Sequence, residues 1–236
     1  MSRTLFISDL HLHASRPAVT QGLDTFLARE GDCVALYILG DLFEAWPGDD
    51  DDSSLAVRVR SCLRRFSAQG PALFIMVGNR DFLLGEAFCR SVGATLLSDP
   101  SRIDLYGTQT LLMHGDSLCT ADRDYQSFRS TVRDPNWQAD ILNQDLQQRR
   151  ELAARLRLAS SAAKSNKAED IMDVTPSEVD RVMREHGAGQ LIHGHTHRPG
   201  SHSSIHGKRW VLGDWSDKGW FLEAKMQSIE LIDFVI

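Results

Sequence analysis

The sequence predicts an α/β fold in which parallel strands are covered by helices on both faces. Over residues 4–77, short apolar runs alternate with longer segments whose apolar residues recur at helical spacing. The runs are continuously apolar, which is typical of strands that are buried on both sides. Each run ends in a polar cluster containing Gly, Asp, Asn or His. Ligands of open α/β sheets bind beyond the carboxyl ends of the strands, so a site is expected where these clusters meet.

The N-terminal elements follow one another in a regular order. Strands are predicted for the apolar runs 4–8, 33–39 and 72–77. A helix is predicted over 16–30, which has Pro17 near its start, and another over 54–69. The acidic run 49–52 is interpreted as a solvated turn and helix cap.

The second half of the chain changes character twice. Residues 102–115 predict a hairpin that turns at Gly107–Thr108. Residues 121–170 are polar, have helical propensity and lack any strand signal. They predict a helical cap inserted into a core formed by residues 1–120 and 171–236. A strand and a His-rich loop are expected over 191–199, and closing antiparallel strands over 210–215, 220–225 and 228–235.

Composition limits the possible classes of protein. The 236 residues, 42% of them hydrophobic, suit one large domain, and the net charge of -6 weighs against general nucleic-acid binding. No apolar run reaches the roughly 18–20 residues that span a bilayer, and no signal peptide is visible, so the cytoplasm is the expected location. The scattered cysteines are expected to be core residues: Cys33, Cys62, Cys89 and Cys119.

Five clusters at strand ends contain residues that bind metals. Asp, His and Asn suit Mn, Zn or Fe better than a thiolate site does. Each cluster alone is a weak signal, because Gly-Asp is usually a turn and a single His is usually only hydrogen-bonded, but five in succession indicate a metal centre. The clusters are Asp9-Leu10-His11, Gly40-Asp41, Gly78-Asn79-Arg80-Asp81, His114-Gly115-Asp116 and His193-Gly194-His195-Thr196-His197.

In content and order these clusters resemble the calcineurin-like metallophosphoesterases, over residues 4 to about 213. The resemblance implies a four-layer αββα sandwich, with two mixed sheets flanked by helices, and two metal ions bridged by Asp41. One ion would be held by Asp9, His11, Asp41 and His197, and the other by Asp41, Asn79, His114 and His195. A bridging carboxylate offsets the repulsion between two cations. Asp81 and Asp116 are either orienting partners of the histidines or local caps.

Arg80 stands where many members of that superfamily have a histidine. Histidine can protonate an alkoxide leaving group, whereas arginine keeps its proton near neutral pH and can bind a phosphate with its planar fork. Arg80 therefore favours a leaving group that needs no proton, such as the phosphate released from a pyrophosphate. The alternative is that Arg80 only pairs with a neighbouring acid.

Longer segments resemble the UDP-2,3-diacylglucosamine pyrophosphatases of lipid A biosynthesis: 37–46, 78–85, 113–116, 171–174 and 192–199. The resemblance implies two Mn²⁺ per subunit and attack of a hydroxide held by them on the α-phosphorus. The products would be UMP and 2,3-diacylglucosamine 1-phosphate (lipid X). It assigns catalysis to Asp41, Asn79, Arg80 and His195, and substrate binding to Asn79, Arg80, Asp122, Ser160, Lys164, Lys167 and His195. Lys164 departs from the family, which often has Asn there.

The inserted segment fits a lipid substrate. From Arg149 to Lys167 it contains six basic residues and a single acid, Glu151, and Leu152, Leu156 and Ala159 could line one side of a predicted helix. Such a cap could cover acyl chains and rest on the cytoplasmic face of the inner membrane, or it could be an ordinary exposed helix. The basic residues are Arg149, Arg150, Arg155, Arg157, Lys164 and Lys167. Trp46, Phe82 and Phe128 are either acyl-chain contacts or core residues.

Two other interpretations compete with a lipid pyrophosphatase. The same chemistry could act on a nucleotide, a phosphoprotein or a nucleic acid, although the net charge and Arg80 weigh against nucleic acid. A metal-free binding scaffold is disfavoured because every ligand position holds a metal-competent residue. No obligate protein partner is evident.

Overall fold

Two β-sheets pack against each other at the centre of the molecule, with helices on their outer faces. The computed structural model describes residues 2–164 and 173–236, and the side chains of residues 159–164 lie outside this description. Buried residues from both sheets, such as Phe6, Met76 and Leu112, form one apolar layer between them. The predicted four-layer sandwich is therefore confirmed.

The first sheet contains the predicted N-terminal strands. Its order is β11-β10-β1-β2-β3-β4. Strands β1 to β4 run parallel to one another, β10 pairs antiparallel with β1, and β11 pairs antiparallel with β10. The sequence did not predict β4, whose residues are only half-buried or exposed. The strands are β1 (Arg3–Ile7), β2 (Ala35–Leu39), β3 (Ala72–Met76), β4 (Ala94–Leu97), β10 (Lys218–Lys225) and β11 (Ser228–Val235).

The second sheet has the order β5-β6-β7-β9-β8. The predicted hairpin of residues 102–115 is confirmed as the β5–β6 pair. The prediction of a strand over 210–215 was only partly right, because β9 ends at Val211 and the chain then crosses to the first sheet. The strands are β5 (Ser101–Leu105), β6 (Thr108–Leu112), β7 (Gln190–His193), β8 (Gly200–Ser204) and β9 (Gly207–Val211).

Helices cover both outer faces. Phe26, Leu63 and Phe88 pack from α1, α2 and α3 against the first sheet, and Val182 and Met183 pack from α7 against the second. These helices are α1 (Pro17–Arg29), α2 (Ser54–Ser67), α3 (Glu86–Val92) and α7 (Pro176–Glu185). The inserted segment contains α4 (Arg123–Val132), α5 (Pro135–Leu142) and α6 (Leu146–Lys164).

The acidic loop is only partly the solvated turn that the sequence predicted, because Asp50 and Asp52 are exposed whereas Asp51 is buried and Asp49 is half-buried. Asp49 accepts hydrogen bonds from the backbone N–H groups of Gly85 (2.9 Å) and Phe88 (2.8 Å), so it caps α3 from a distance. Ser53 caps α2 instead, by accepting from Ala56 N. The remaining acids of the loop are held by arginines of α6, described below. Their role depends on residues about a hundred positions away, which no local pattern shows.

The inserted segment is helical throughout its described part, as predicted, and its treatment as a separate cap stays a prediction. The four cysteines are buried, as expected of core residues. Within residues 2–164 and 173–236, no helix is both long and apolar enough to cross a membrane.

Candidate metal centre and adjoining cavity

The predicted metal ligands lie on loops that follow the carboxyl ends of β1, β2, β3, β6 and β7. Five of them have a positive φ although none is glycine: Asp9 (55°), His11 (48°), Asp41 (52°), His195 (65°) and His197 (54°). Left-handed backbone costs a non-glycine residue about 1–2 kcal/mol. Such strain persists where the surroundings enforce it, and it accumulates at functional sites.

Two glycines allow these loops to approach one another. A Cβ at Gly78 would collide with the carboxylate of Asp41, and a Cβ at Gly194 would collide with the carboxylate of Asp9. Each glycine therefore brings a loop of one strand against a ligand carried by another strand.

Asp9, His11, Asp41 and His197 form a first cluster of donor atoms. Nε2 of His11 lies 3.2 Å from Nε2 of His197, and Oδ1 of Asp9 lies 3.3 Å from the same His197 atom. Oδ2 of Asp41 lies 3.8 Å from Nε2 of His11. These atoms converge on one point from three strand ends.

Asp41, Asn79, His114 and His195 form a second cluster. Oδ1 of Asn79 lies 2.9 Å from Nε2 of His114 and 2.8 Å from Nδ1 of His195. Oδ1 of Asp41 lies 3.7 Å from Nε2 of His114. Asp41 thus directs one carboxylate oxygen to each cluster, which is the geometry that a bridging ligand needs. All seven residues predicted as ligands are brought together.

The donor set fits divalent cations. Asp9 is fully buried, and its Oδ1 makes no hydrogen bond of standard geometry to the described residues. Burial acts to lower the pKa of His114, but the charges of Asp41 and Asp9 raise it to about 9. The buried carboxylates thus favour the positively charged form of His114, a predicted ligand. Cations in the same place would supply that positive charge, and oxygen and imidazole donors suit Mn²⁺, Zn²⁺ or Fe.

The hydrogen bonds described for Asp81 and Asp116 go to backbone N–H groups and to side chains of α4, and their orienting of the histidines stays a prediction. Asp81, fully buried, accepts from the backbone N–H groups of four residues on two ligand loops: Gly78, Asp41, Leu42 and Phe43. Its alternative interpretation as a local cap holds. Burial and then the charge of Asp41 raise the pKa of Asp81 to about 6. Asp116 accepts from the Tyr125 hydroxyl at 2.6 Å and from Arg129 Nε at 2.9 Å.

The partners of the histidines were not visible in the sequence. Nδ1 of His114 lies 2.9 Å from the carbonyl oxygen of Leu39, which fixes that ring. Oε2 of Glu44 lies 3.2 Å from Nδ1 of His11. Burial acts to raise the pKa of Glu44, but His11 and Arg80 lower it to about 2. Glu44 belongs to no metal-binding pattern, and only the pairing of two loops reveals it.

A cavity of about 470 Å³ opens beside the two clusters. It is lined by Asn79, Arg80, His195 and His197 of the ligand loops and by apolar side chains of the core and of α4 to α6. The three predicted acyl-chain candidates all line it, together with two residues from the apolar side of α6: Trp46, Phe82, Phe128, Leu152 and Leu156.

The predicted substrate residues are partly accounted for. Arg80 lines the cavity, and its buried Nε has no hydrogen-bond partner among the described residues. Asp122 lines the cavity too and caps α4 by accepting from Tyr125 N at 3.1 Å. Lys167 lies outside the described residues, as do the side chains of Ser160 and Lys164.

Three of the basic residues in the inserted segment are paired with acids of the core. Arg149 is buried and binds Asp50 through both terminal nitrogens (2.7 and 2.5 Å). Arg150 pairs with Asp51 and Asp52, and Arg157 donates to Oε1 of Glu44 at 3.1 Å. These ion pairs hold α6 against the core, and they reduce the positive charge that the three arginines could offer to a membrane surface.

A family model described as calcineurin-like phosphoesterase matches residues 2–199. The fold agrees: a hypothetical protein from Pyrococcus horikoshii superposes with a TM-score of 0.53 at 11% identity, covering 100% of this chain and 88% of that one. An archaeal phosphodiesterase superposes with a TM-score of 0.52 at 11% identity, covering 99% of both chains. The two packed sheets and the metal-competent loops at their strand ends are thus those of a calcineurin-like phosphoesterase.

Curated relatives narrow this class. The chain is 53% identical over 233 residues to the UDP-2,3-diacylglucosamine hydrolase of Cellvibrio japonicus, covering 97% of both chains. It is 52% identical over 224 residues to the UDP-2,3-diacylglucosamine hydrolase of Pseudomonas aeruginosa, covering 93% of both. The chain belongs to the calcineurin-like phosphoesterases and, within them, to the family of the UDP-2,3-diacylglucosamine hydrolases.

Proposed function

We propose that this chain is a metal-dependent enzyme that hydrolyses the pyrophosphate bond of UDP-2,3-diacylglucosamine in lipid A biosynthesis. The products are UMP and 2,3-diacylglucosamine 1-phosphate. The observation that carries the proposal is the position of Asp41, with one oxygen toward each donor cluster, beside a cavity lined by ligand-loop residues and by apolar side chains. A substrate with a charged diphosphate and two acyl chains matches this mixed lining.

Two Mn²⁺ ions would be held by the two clusters, with Asp41 shared. When bound, they would lower the pKa of a water molecule and neutralise charge on the phosphate. Nε of Arg80, buried and without a hydrogen-bond partner among the described residues, would donate to a phosphate oxygen of the substrate. Asn79 and His195 also line the cavity and would help to orient the diphosphate.

The bond that breaks joins the α-phosphorus to the oxygen that bridges the two phosphates. Water adds to the α-phosphorus, so UMP keeps the new oxygen and the lipid leaves as a phosphate monoester. A phosphate monoester has a second pKa of roughly 6, so it can leave without protonation. Arginine at position 80 agrees with this, because it need not act as an acid.

Residues 121–170 would form a cap over a core of residues 1–120 and 171–236, with its apolar side toward the acyl chains. Substrate contacts are proposed for Asp122, Ser160, Lys164 and Lys167. Leu142 is 44% exposed and Leu158 is 70% exposed on cap helices. We place these side chains against the cytoplasmic face of the inner membrane, where a lipid substrate resides.

Hydrolysis of UDP-2,3-diacylglucosamine by the purified protein, with and without Mn²⁺, tests the reaction. Manganese-dependent release of UMP and lipid X is expected, with no release from a UDP-sugar that lacks acyl chains. In ¹⁸O-labelled water, the label should enter UMP and not lipid X. Label in lipid X would refute attack at the α-phosphorus. No release from the lipid, alongside hydrolysis of a generic phosphodiester, would refute the substrate.

A further inference from the structure

Two ligand loops pair with each other and bring Glu44 beside His11. The backbone N–H of His11 donates to Asp41 O at 2.9 Å, and the N–H of Glu44 donates to Leu12 O at 3.1 Å. An isolated parallel bridge joins Leu12 to Phe43. Glu44 is therefore held on a short hydrogen-bonded ladder rather than on a free loop, and its side chain is only 15% exposed.

The two carboxylate oxygens of Glu44 face different groups. Oε2 lies 3.2 Å from Nδ1 of His11, a buried nitrogen that makes no hydrogen bond of standard geometry to the described residues. Oε1 accepts from Nε of Arg157 at 3.1 Å and lies 3.9 Å from Nη1 of Arg80. One half-buried carboxylate thus joins a predicted metal ligand, a cap helix and a predicted substrate contact.

An imidazole that binds a metal through Nε2 carries its proton on Nδ1, and that proton needs an acceptor. The geometry points to Glu44 as that acceptor: we propose that it is a positioning residue that keeps Nε2 of His11 directed into the first donor cluster, and that it holds Arg157 of α6 against the same loop. This inference rests on the proposed two-metal site. Glu44 is not itself one of the predicted metal ligands, and it acts through His11.

Titration of metal-free protein with Mn²⁺ in a calorimeter tests the proposal without any turnover. Wild type should bind two ions. Glu44→Ala should weaken one of the two sites by about 10- to 100-fold, the range typical for loss of a ligand's orienting partner, and leave the other within about twofold. Glu44→Gln keeps an oxygen that can accept from Nδ1, so it should recover part of the lost affinity.

Asp50→Asn is the matched control, because it removes a cap ion pair to Arg149 and does not contact the donor clusters. Arg157→Gln is a second control, which leaves Glu44 beside His11. Both should keep wild-type affinity at both sites, and thermal melts of each variant report folding. Equal Mn²⁺ affinity in wild type, Glu44→Ala and Glu44→Gln would overturn the positioning role while leaving the two-metal site intact. So would equal weakening in Asp50→Asn. A wild type that binds no Mn²⁺ would refute both the two-metal site and this inference.

Discussion

Asp81 should be one of the most sensitive polar residues of the molecule, and Asp81→Asn tests how its hydrogen bonds hold two ligand loops together. Oδ1 accepts from Gly78 N at 2.7 Å and from Asp41 N at 3.3 Å. Oδ2 accepts from Leu42 N at 2.7 Å and from Phe43 N at 3.3 Å. Asparagine has only one acceptor oxygen, so in either orientation one short and one long hydrogen bond are lost.

The magnitude follows from these contacts. A hydrogen bond to a charged group contributes roughly 1.5–3 kcal/mol, and a buried donor left unsatisfied costs about 1–3 kcal/mol. Losing one short and one long bond should therefore cost about 3–4 kcal/mol. Removing a charge whose burial has raised the pKa of Asp81 from 3.8 to about 6 returns about 3 kcal/mol, but the amide NH2 group then faces two backbone N–H donors with no acceptor, which costs about 1–3 kcal/mol more. The net loss in free energy of unfolding is expected to be about 2–3 kcal/mol.

Urea unfolding of metal-free protein measures this loss, with Asp104→Asn as the control. Asp104 also accepts from a backbone N–H, that of Gly107 at 2.7 Å, but it does so in an exposed turn. Its substitution should cost less than about 1 kcal/mol, because water can replace the lost bond. A loss of less than 1 kcal/mol in Asp81→Asn, or equal losses in the two variants, would refute the reasoning.

Four further predictions follow from the site and the surface. Asp41→Ala should abolish Mn²⁺-dependent UMP release because the shared ligand is gone, and near-normal turnover would contradict the bridge. Arg80→Ala should lower turnover strongly with metal content unchanged by elemental analysis; loss of metal would instead mean a structural role. Leu158→Asp should weaken binding to anionic vesicles, whereas Ile205→Asp, 82% exposed on the β8–β9 turn, should not; equal binding by both would refute the cap as the membrane contact. Burial and Asp116 raise the pKa of Asp99 from 3.8 to about 6, so its ionisation destabilises the folded chain as pH rises from 4 to 7. The free energy of unfolding of Asp99→Asn, relative to that of wild type, should therefore increase by up to about 3 kcal/mol between pH 4 and pH 7. Urea unfolding at the two pH values measures this difference, and a difference that stays constant would contradict the raised pKa.

The sequence by itself determined the features that depend on local pattern. Continuous apolar runs predicted the parallel strands, and the clusters at their ends predicted which loops carry metal-competent residues. Asp9, His11 and Asp41 could be selected in this way because the carboxyl ends of parallel strands share one edge of a sheet. The polar, helix-prone composition of residues 121–170 predicted the helical insertion, and the family resemblance added the sandwich.

Only the tertiary structure decided the roles that depend on contacts between distant segments. Asp81 was recognisable as a cap or a partner, but its four N–H donors come from two loops that only folding brings together. Arg149 looked like surface charge until the loop at Asp50, 99 positions earlier, paired with it. Glu44 lies in the family-like segment 37–46, but nothing in the sequence marked it as a partner of His11. Hydrophobic periodicity records which face of an element is buried, whereas the partner of a buried charge is set by how elements pack, and that information is not local.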